Sequence, residues 1–224
     1  ENEYITFANT THLVKIRQER QKESKRKMAK AMMVASFFFY FPTIKLIGVS
    51  GSLSMQNSMK DDDIDFFFIT SKNTLWITRF FVSLFLVCFK QKRQRVHAIT
   101  KDKICPNMFL SEDNLVLPKS SQNLYTAHEV AQLKVIYAKD YMDDEFFCAN
   151  KWVLKYLPHA FMYKKQKLGK YNFYSNLLFP FEFFAFGLQY VYMKKRITNE
   201  KIGLSFAMFH PRKSKEIICD IYNL

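Results

Sequence analysis

Glycine is scarce in this chain, with five in 224 residues. That poverty argues against a loop-rich β-sandwich and against a glycine-rich dinucleotide fold. It also makes the pair Gly48 and Gly51 conspicuous. Acidic residues are outnumbered, 20 Asp and Glu against 34 Lys and Arg, for a formal net charge of +14. A polyanionic partner follows as an expectation: nucleic acid, acidic lipid or a phosphorylated substrate. The plainer alternative is solubility with a lysine bias. The four cysteines, Cys88, Cys105, Cys148 and Cys219, are scattered. No CxxC and no Cys/His cluster suggests zinc, and a reduced cytoplasmic setting is expected.

Long uninterrupted apolar runs are missing too. Leu75 to Phe89 is short and broken by Arg79, and Phe173 to Met193 contains Pro180, Glu182 and Gln189. A spanning helix needs about 20 apolar residues with few charges, so buried helices are expected. Peripheral membrane contact stays open because basic groups flank both stretches. The opening residues, Glu1-Asn2-Glu3-Tyr4, do not read as a secretory signal.

What is present is bulk. Hydrophobic residues make up 49% of the chain, with 24 Phe and 12 Tyr, enough for a well-cored domain with a helical extension. A basic helix is expected from His12, continuing into the apolar Met28–Tyr40 and ended by Pro42; its basic half reads as a solvated face. Strands are expected at Ile44–Val49, Asp63–Thr70 and Ile104–Leu110, with a brief one at Leu115–Leu117. Ser71 or Asn73 is expected to cap a helix over Thr74–Phe89, followed by a basic exit. Thr126 with Glu129 reads as a capping box before a helix carrying Val130, Leu133, Ile136 and Tyr137. Further helices are expected at Asp143–Tyr156, Leu177–Lys194, Thr198–Phe209 and Ser214–Leu224. The architecture is α+β: a small mixed β-sheet core packed by helices (residues 1–120, with the basic N-terminal helix) and a mainly helical region (121–224).

The chemistry concentrates in Gly48-Val49-Ser50-Gly51-Ser52-Leu53 and Asp63-Ile64-Asp65. Side chains two apart on a strand share a face, so Asp63 and Asp65 can converge on one divalent cation. Magnesium takes carboxylate and phosphate oxygens together. Gly51 permits a close turn, and Ser52 can offer its hydroxyl to a phosphate. Asp61 and Asp62 fit an acidic solvent-facing turn, and the spacing of an EF-hand is absent.

Gly51-Ser52 followed by Asp63-x-Asp65 resembles the signature of the DNA polymerase beta-type nucleotidyltransferase superfamily. The stretches Lys101–Asn107 and Asn123–Glu129 look similar to motifs of an uncharacterised bacterial nucleotidyltransferase-domain family. The resemblance implies Mg2+ on Asp63 and Asp65, a nucleoside triphosphate such as ATP held at Gly51 and Ser52, and an unidentified acceptor: small molecule, RNA or protein. A catalytically weak or inactive nucleotide- or RNA-binding protein of the same fold is the alternative. Many members of the superfamily carry a third acid on the neighbouring strand. Here that strand holds none; Asn107 sits near its middle, with Asp102 before it and Glu112 after it, and any of the three could approach the metal.

Lesser candidates are Tyr125, His128 and Glu129 at a helix start; Lys90, Lys92, Arg93 and Arg95 for an anionic group; and His210-Pro211-Arg212 to close the cleft. His97 and His159 are isolated, and the run Phe37–Tyr40 reads as core.

Overall fold

The computed structural model describes residues 10, 12–93, 101–160, 178–195, 197 and 200–209. Arg95, His97, Cys219, the His210–Arg212 group and the expected helix at Ser214–Leu224 lie outside them.

A six-stranded mixed sheet forms the core, in the order β4-β1-β2-β3-β6-β5. The first helix, α1 (His12–Phe39), leads to β1 (Ile44–Val49), the one-turn helix α2 (Gly51–Ser54) and β2 (Ile64–Thr70). Helix α3 (Leu75–Cys88) then crosses to β3 (Ile104–Ser111), the one parallel partner of β2 among the described strands. The region after residue 120 is mainly helical, with α4 (Leu124–Ala131), α5 (Met142–Ala149) and α6 (Phe179–Lys194). Three short strands from it, β4 (Lys134–Ala138), β5 (Lys201–Ile202) and β6 (Phe206–Met208), join the same sheet by antiparallel pairing.

The centre of the sheet is β2, apolar on both faces from Phe66 onward, as a strand covered on both sides must be. Ile64, Phe66 and Phe68 face a core shared with α1, α3 and α6. Phe67 and Ile69 face a second core shared with α4 and α5. Phe68 stacks on Phe109 with ring centroids 4.8 Å apart, and Phe38 of α1 meets its edge at 5.9 Å. Burying each such ring is worth about 1.5–3 kcal/mol, so these residues fix the register that the site depends on.

Several local expectations give way to tertiary context. Ile136 and Tyr137 lie on β4, because the edge of β1 needs a partner and α4 ends at Ala131. The cap of α4 is Asn123, whose side chain accepts from the Thr126 amide while the Thr126 hydroxyl answers the Asn123 amide; Glu129 is not part of it. The Thr198–Phe209 helix is replaced by β5 and β6, and Leu115–Leu117 is not a strand. The helix expected over Asp143–Tyr156 divides at Asn150 into α5 and a 3-10 segment, Lys151–Lys155.

Neither Ser71 nor Asn73 caps α3. The buried Glu182 of α6 does so across 106 residues of sequence, accepting from the Trp76 amide at 2.7 Å and the Ile77 amide at 2.9 Å. A carboxylate there answers both the unpaired amides and the helix dipole. Burial nevertheless holds the Glu182 pKa above the usual carboxylate value, against the pull of these amides.

Candidate functional site

Strand β2 carries Asp65 on the face it shares with Phe67 and Ile69, at the end of the sheet where β1 turns into α2. The chain turns there at Gly51, whose φ of +67° is a left-handed conformation. A Cβ added at Gly51 would lie 3.2 Å from Asp65 Oδ2. The glycine therefore serves both the turn and the close approach of backbone to carboxylate. The Ser50 amide donates to the Asp65 carbonyl at 3.1 Å, pinning the start of the turn to β2.

Asp63 and Asp65 do converge, and a third group joins them. The parallel register sets Asp65 beside Cys105. Ligand atoms of Asp63, Asp65 and Cys105 all lie within 4.8 Å of one another. Burial, then the neighbouring Asp63 charge, pushes the Asp65 pKa up to about 7, while Arg93 pulls the other way. Burial, followed by the two carboxylates, raises the Cys105 thiol well above its ordinary value, so it stays protonated. It hydrogen-bonds with Asp65 and with Arg93.

Arg93 reaches in from the segment after α3. Its amide donates to the Ile104 carbonyl at 2.9 Å, and its guanidinium donates to Asp63 Oδ2 at 2.7 Å. Helix α4 borders the same space. Burial, then the charges of Glu129 and Asp65, pushes the Tyr125 hydroxyl pKa up to about 12, and Glu129 adds to the upward pressure on Asp65. The exposed His128 turns to Gln132 instead, 3.2 Å away. His159 and the exposed Lys90 are not in the cluster.

The remaining sequence candidates occupy defined places. The Ser52 hydroxyl donates to Asp62 Oδ2 at 2.9 Å, and the Met59 amide donates to the same oxygen at 2.8 Å. Asp62 thus organises the loop that precedes β2. The Asp102 carboxylate takes two hydrogen bonds from Arg26, at 2.9 and 2.7 Å, which hold it below its usual pKa. Glu112 lies at the far end of β2: its amide donates to the Thr70 carbonyl, and its side chain accepts from the Lys72 amide. Asn107 is buried at a register irregularity between β2 and β3, two residues along from Cys105. The basic half of α1 is more than a solvated face, since Lys27 is fully buried and its ammonium donates to the carbonyls of Met59 and Asp62.

Cys105 is the residue that a reading of the sequence passed over. One signal could have found it. Ile64 and Ile104 are the first apolar residues of two strands that pair in parallel, and aligning them sets Cys105 beside Asp65.

No family model and no curated protein matches the chain. Among solved structures, it is similar to the toxin-antitoxin MntA-HpeT in a mutant form, at 15% identity over 56% of this chain and 84% of that one, with a TM-score of 0.32. It is also similar to a toxin-antitoxin with AMP-PNP, at 16% identity over 59% and 86%, with a TM-score of 0.32. Likenesses this distant say nothing about what the chain does.

Proposed function

We propose that the protein is a magnesium-dependent nucleotidyltransferase. An acceptor hydroxyl attacks the α-phosphorus of a nucleoside triphosphate, the α–β phosphoanhydride bond breaks, pyrophosphate leaves and the acceptor proton passes to solvent. The observation that carries this reading is the closeness of Gly51 to Asp65 in a cluster that also holds Asp63. A close turn and a carboxylate pair are the two parts that a metal-bound triphosphate needs, and they adjoin.

The donor set fits the ion. Two carboxylates offer hard oxygens, and the protonated Cys105 thiol is a weak donor, which leaves coordination positions for phosphate oxygens and water. When bound, magnesium would neutralise charge on the triphosphate and orient the leaving pyrophosphate. Asp63 and Asp65 hold it. The turn at Gly51 and Ser52 lines the phosphates, with Ser52 exchanging its bond to Asp62 for one to substrate. Arg93 adds positive charge beside Asp63. Asn107, two residues along β3 from Cys105, offers a further oxygen donor. Tyr125 and Glu129 border the acceptor side, which assigns residues 1–120 the nucleotide and residues 121–224 an accessory role. The expected setting is the cytoplasm.

A second reading is favoured by one feature: Cys105 stands beside Asp65 where a third carboxylate would complete the site. It describes a nucleotide- or RNA-binding protein of this fold without turnover. Transfer of label from α-labelled nucleoside triphosphates, with pyrophosphate release, tests both. The first reading expects magnesium-dependent transfer that Asp63→Asn with Asp65→Asn abolishes; full activity in that double variant would sink it. The second expects magnesium-dependent triphosphate binding and no pyrophosphate.

A further inference from the structure

Helix α6 is buried at only two of its sixteen residues, Glu182 and Met193. Phe181, Phe184, Leu188 and Val191 recur at helical spacing on its outer side, between 58% and 71% exposed. Helix α3 packs against it through Arg79, which hydrogen-bonds Gln189 and sits over the Trp76 ring. The outer side of α3 continues the apolar surface with Phe81 and Leu84, both 46% exposed. Soluble proteins rarely leave so much contiguous apolar surface without a partner.

Among the described residues, the exposed charges on the two helices and at their ends are of one sign. Helix α3 contains no acidic residue, and the one in α6, Glu182, points inward at 3% exposure. Each helix ends in exposed lysines: Lys90 after α3, close to Lys103, and Lys194 with Lys195 at the end of α6. An apolar face without acids, bordered by ammonium groups, matches an anionic bilayer surface, where rings enter the acyl boundary and lysines meet headgroups. A second copy matches it poorly. Pairing through this face would bring together two chains of formal charge +14. No helix among the described residues is long and apolar enough to cross a membrane, so the contact is peripheral.

We propose that the α3–α6 face docks the protein on an anionic lipid surface. This is independent of the nucleotidyl-transfer reading. Flotation of the full chain with phosphatidylcholine vesicles, with and without phosphatidylglycerol, tests it. Binding to the anionic vesicles should be at least tenfold tighter and should weaken in high salt. Phe184→Glu with Leu188→Glu should lose at least tenfold in binding with unchanged circular dichroism and melting temperature. Lys194→Glu with Lys195→Glu should lose binding to the anionic vesicles selectively. The Asp63→Asn, Asp65→Asn variant should bind as the wild type does. Equal binding to both vesicles, or binding to neither, overturns the proposal. So does a dimer in sedimentation that Phe184→Glu with Leu188→Glu dissociates, which would assign the face to a second copy.

Discussion

The ammonium of Lys27, sealed from solvent in α1, donates to the main-chain carbonyl of Asp62 at 2.6 Å. It also donates to the carbonyl of Met59 at 2.7 Å. The loop between α2 and β2 is thereby closed from beneath by a charged side chain and tied across its top by the Asp62 carboxylate, which accepts from Met59 and Ser52. Asp63 is the next residue. Its position is set by this loop as much as by the strand that follows.

Lys27→Met tests that coupling. The methionine fills a similar volume but takes the charged donor away from two carbonyls, which keep only backbone partners, the Asp62 amide on Met59 and the Asp102 amide on Asp62, at about 1–3 kcal/mol. Part of that loss is offset, because burial already pulls the Lys27 pKa below its ordinary value and the charge is costly there. Denaturant unfolding should show a net loss of about 1–2 kcal/mol. Divalent-cation affinity measured by calorimetry should fall too, since the loop that holds Asp63 loosens. Unchanged cation affinity would show that β2 alone positions Asp63.

Gly51→Ala should be more damaging at the site than in the fold. A left-handed backbone costs a non-glycine residue about 1–2 kcal/mol. The new methyl also lies 3.2 Å from Asp65 Oδ2, where it displaces the carboxylate or excludes a phosphate. The expected outcome is a folded protein, a few degrees lower in melting temperature, whose triphosphate binding is lost. Retained binding would detach the turn from the phosphate role.

Asp65 should make stability depend on pH in a particular direction. Its pKa is raised from 3.8 to about 7 by burial and then by Asp63. The folded state holds that proton more tightly than the unfolded chain does, so the group favours folding at low pH. That contribution is lost as pH rises from about 4 through about 7, and above 7 the folded protein carries the full cost of the charge. Asp65→Asn has no such slope. It should therefore gain on the wild type across that window, by up to about 4 kcal/mol on linkage and by less where water reaches the half-buried carboxylate. Magnesium should narrow the gap by stabilising the wild type alone. A variant less stable than the wild type at pH 8 without metal would contradict the assignment.

The turn and the two aspartates were legible in the sequence because their signals are local: a glycine that permits φ +67° and two carboxylates with the period of a strand. The existence of the two central strands was legible for the same reason, in the apolar runs at Ile44–Val49 and Phe66–Thr70, while their order in the sheet was not. Cys105 was not, because its place is fixed by a parallel pairing formed across α3, a non-local contact. Ile136 and Tyr137 read as helical from spacing alone, yet an unpaired edge of β1 recruited them. The buried lysine of α1 was invisible for a related reason: its partners are carbonyl oxygens, which no side-chain pattern announces. Asp102 looked available to a metal until Arg26, 76 residues earlier, supplied its partner.

Glu182 offers a test of the joint between α3 and α6. Glu182→Ala leaves the Trp76 and Ile77 amides without their acceptor, at about 1–3 kcal/mol. Glu182→Gln keeps one carbonyl oxygen, avoids the burial cost of the charge and should lose less. Hydrogen exchange should quicken at the first turn of α3 in the alanine variant while β2 stays protected. Uniform loss of protection would mean that the cap holds the whole domain rather than this joint.

Arg93 is both an obstacle and an asset at the site, and Arg93→Met separates the two. Its guanidinium donates to Asp63 Oδ2 at 2.7 Å, so a cation must take that oxygen from it. The pair is half open to water, with side-chain exposures of 43% and 16%, so its strength is modest and easily exchanged. Removing the guanidinium should tighten binding of a divalent cation alone severalfold. Once a triphosphate is present, the freed guanidinium becomes a partner for its oxygens, and its absence should weaken nucleotide binding about tenfold or more. Calorimetry with Mn2+ alone, then with Mn2+ and a non-hydrolysable triphosphate, should therefore move in opposite directions in the variant. If both affinities fall together, Arg93 is holding Asp63 in place rather than competing for it. If neither moves, the approach of Arg93 to Asp63 has no part in binding.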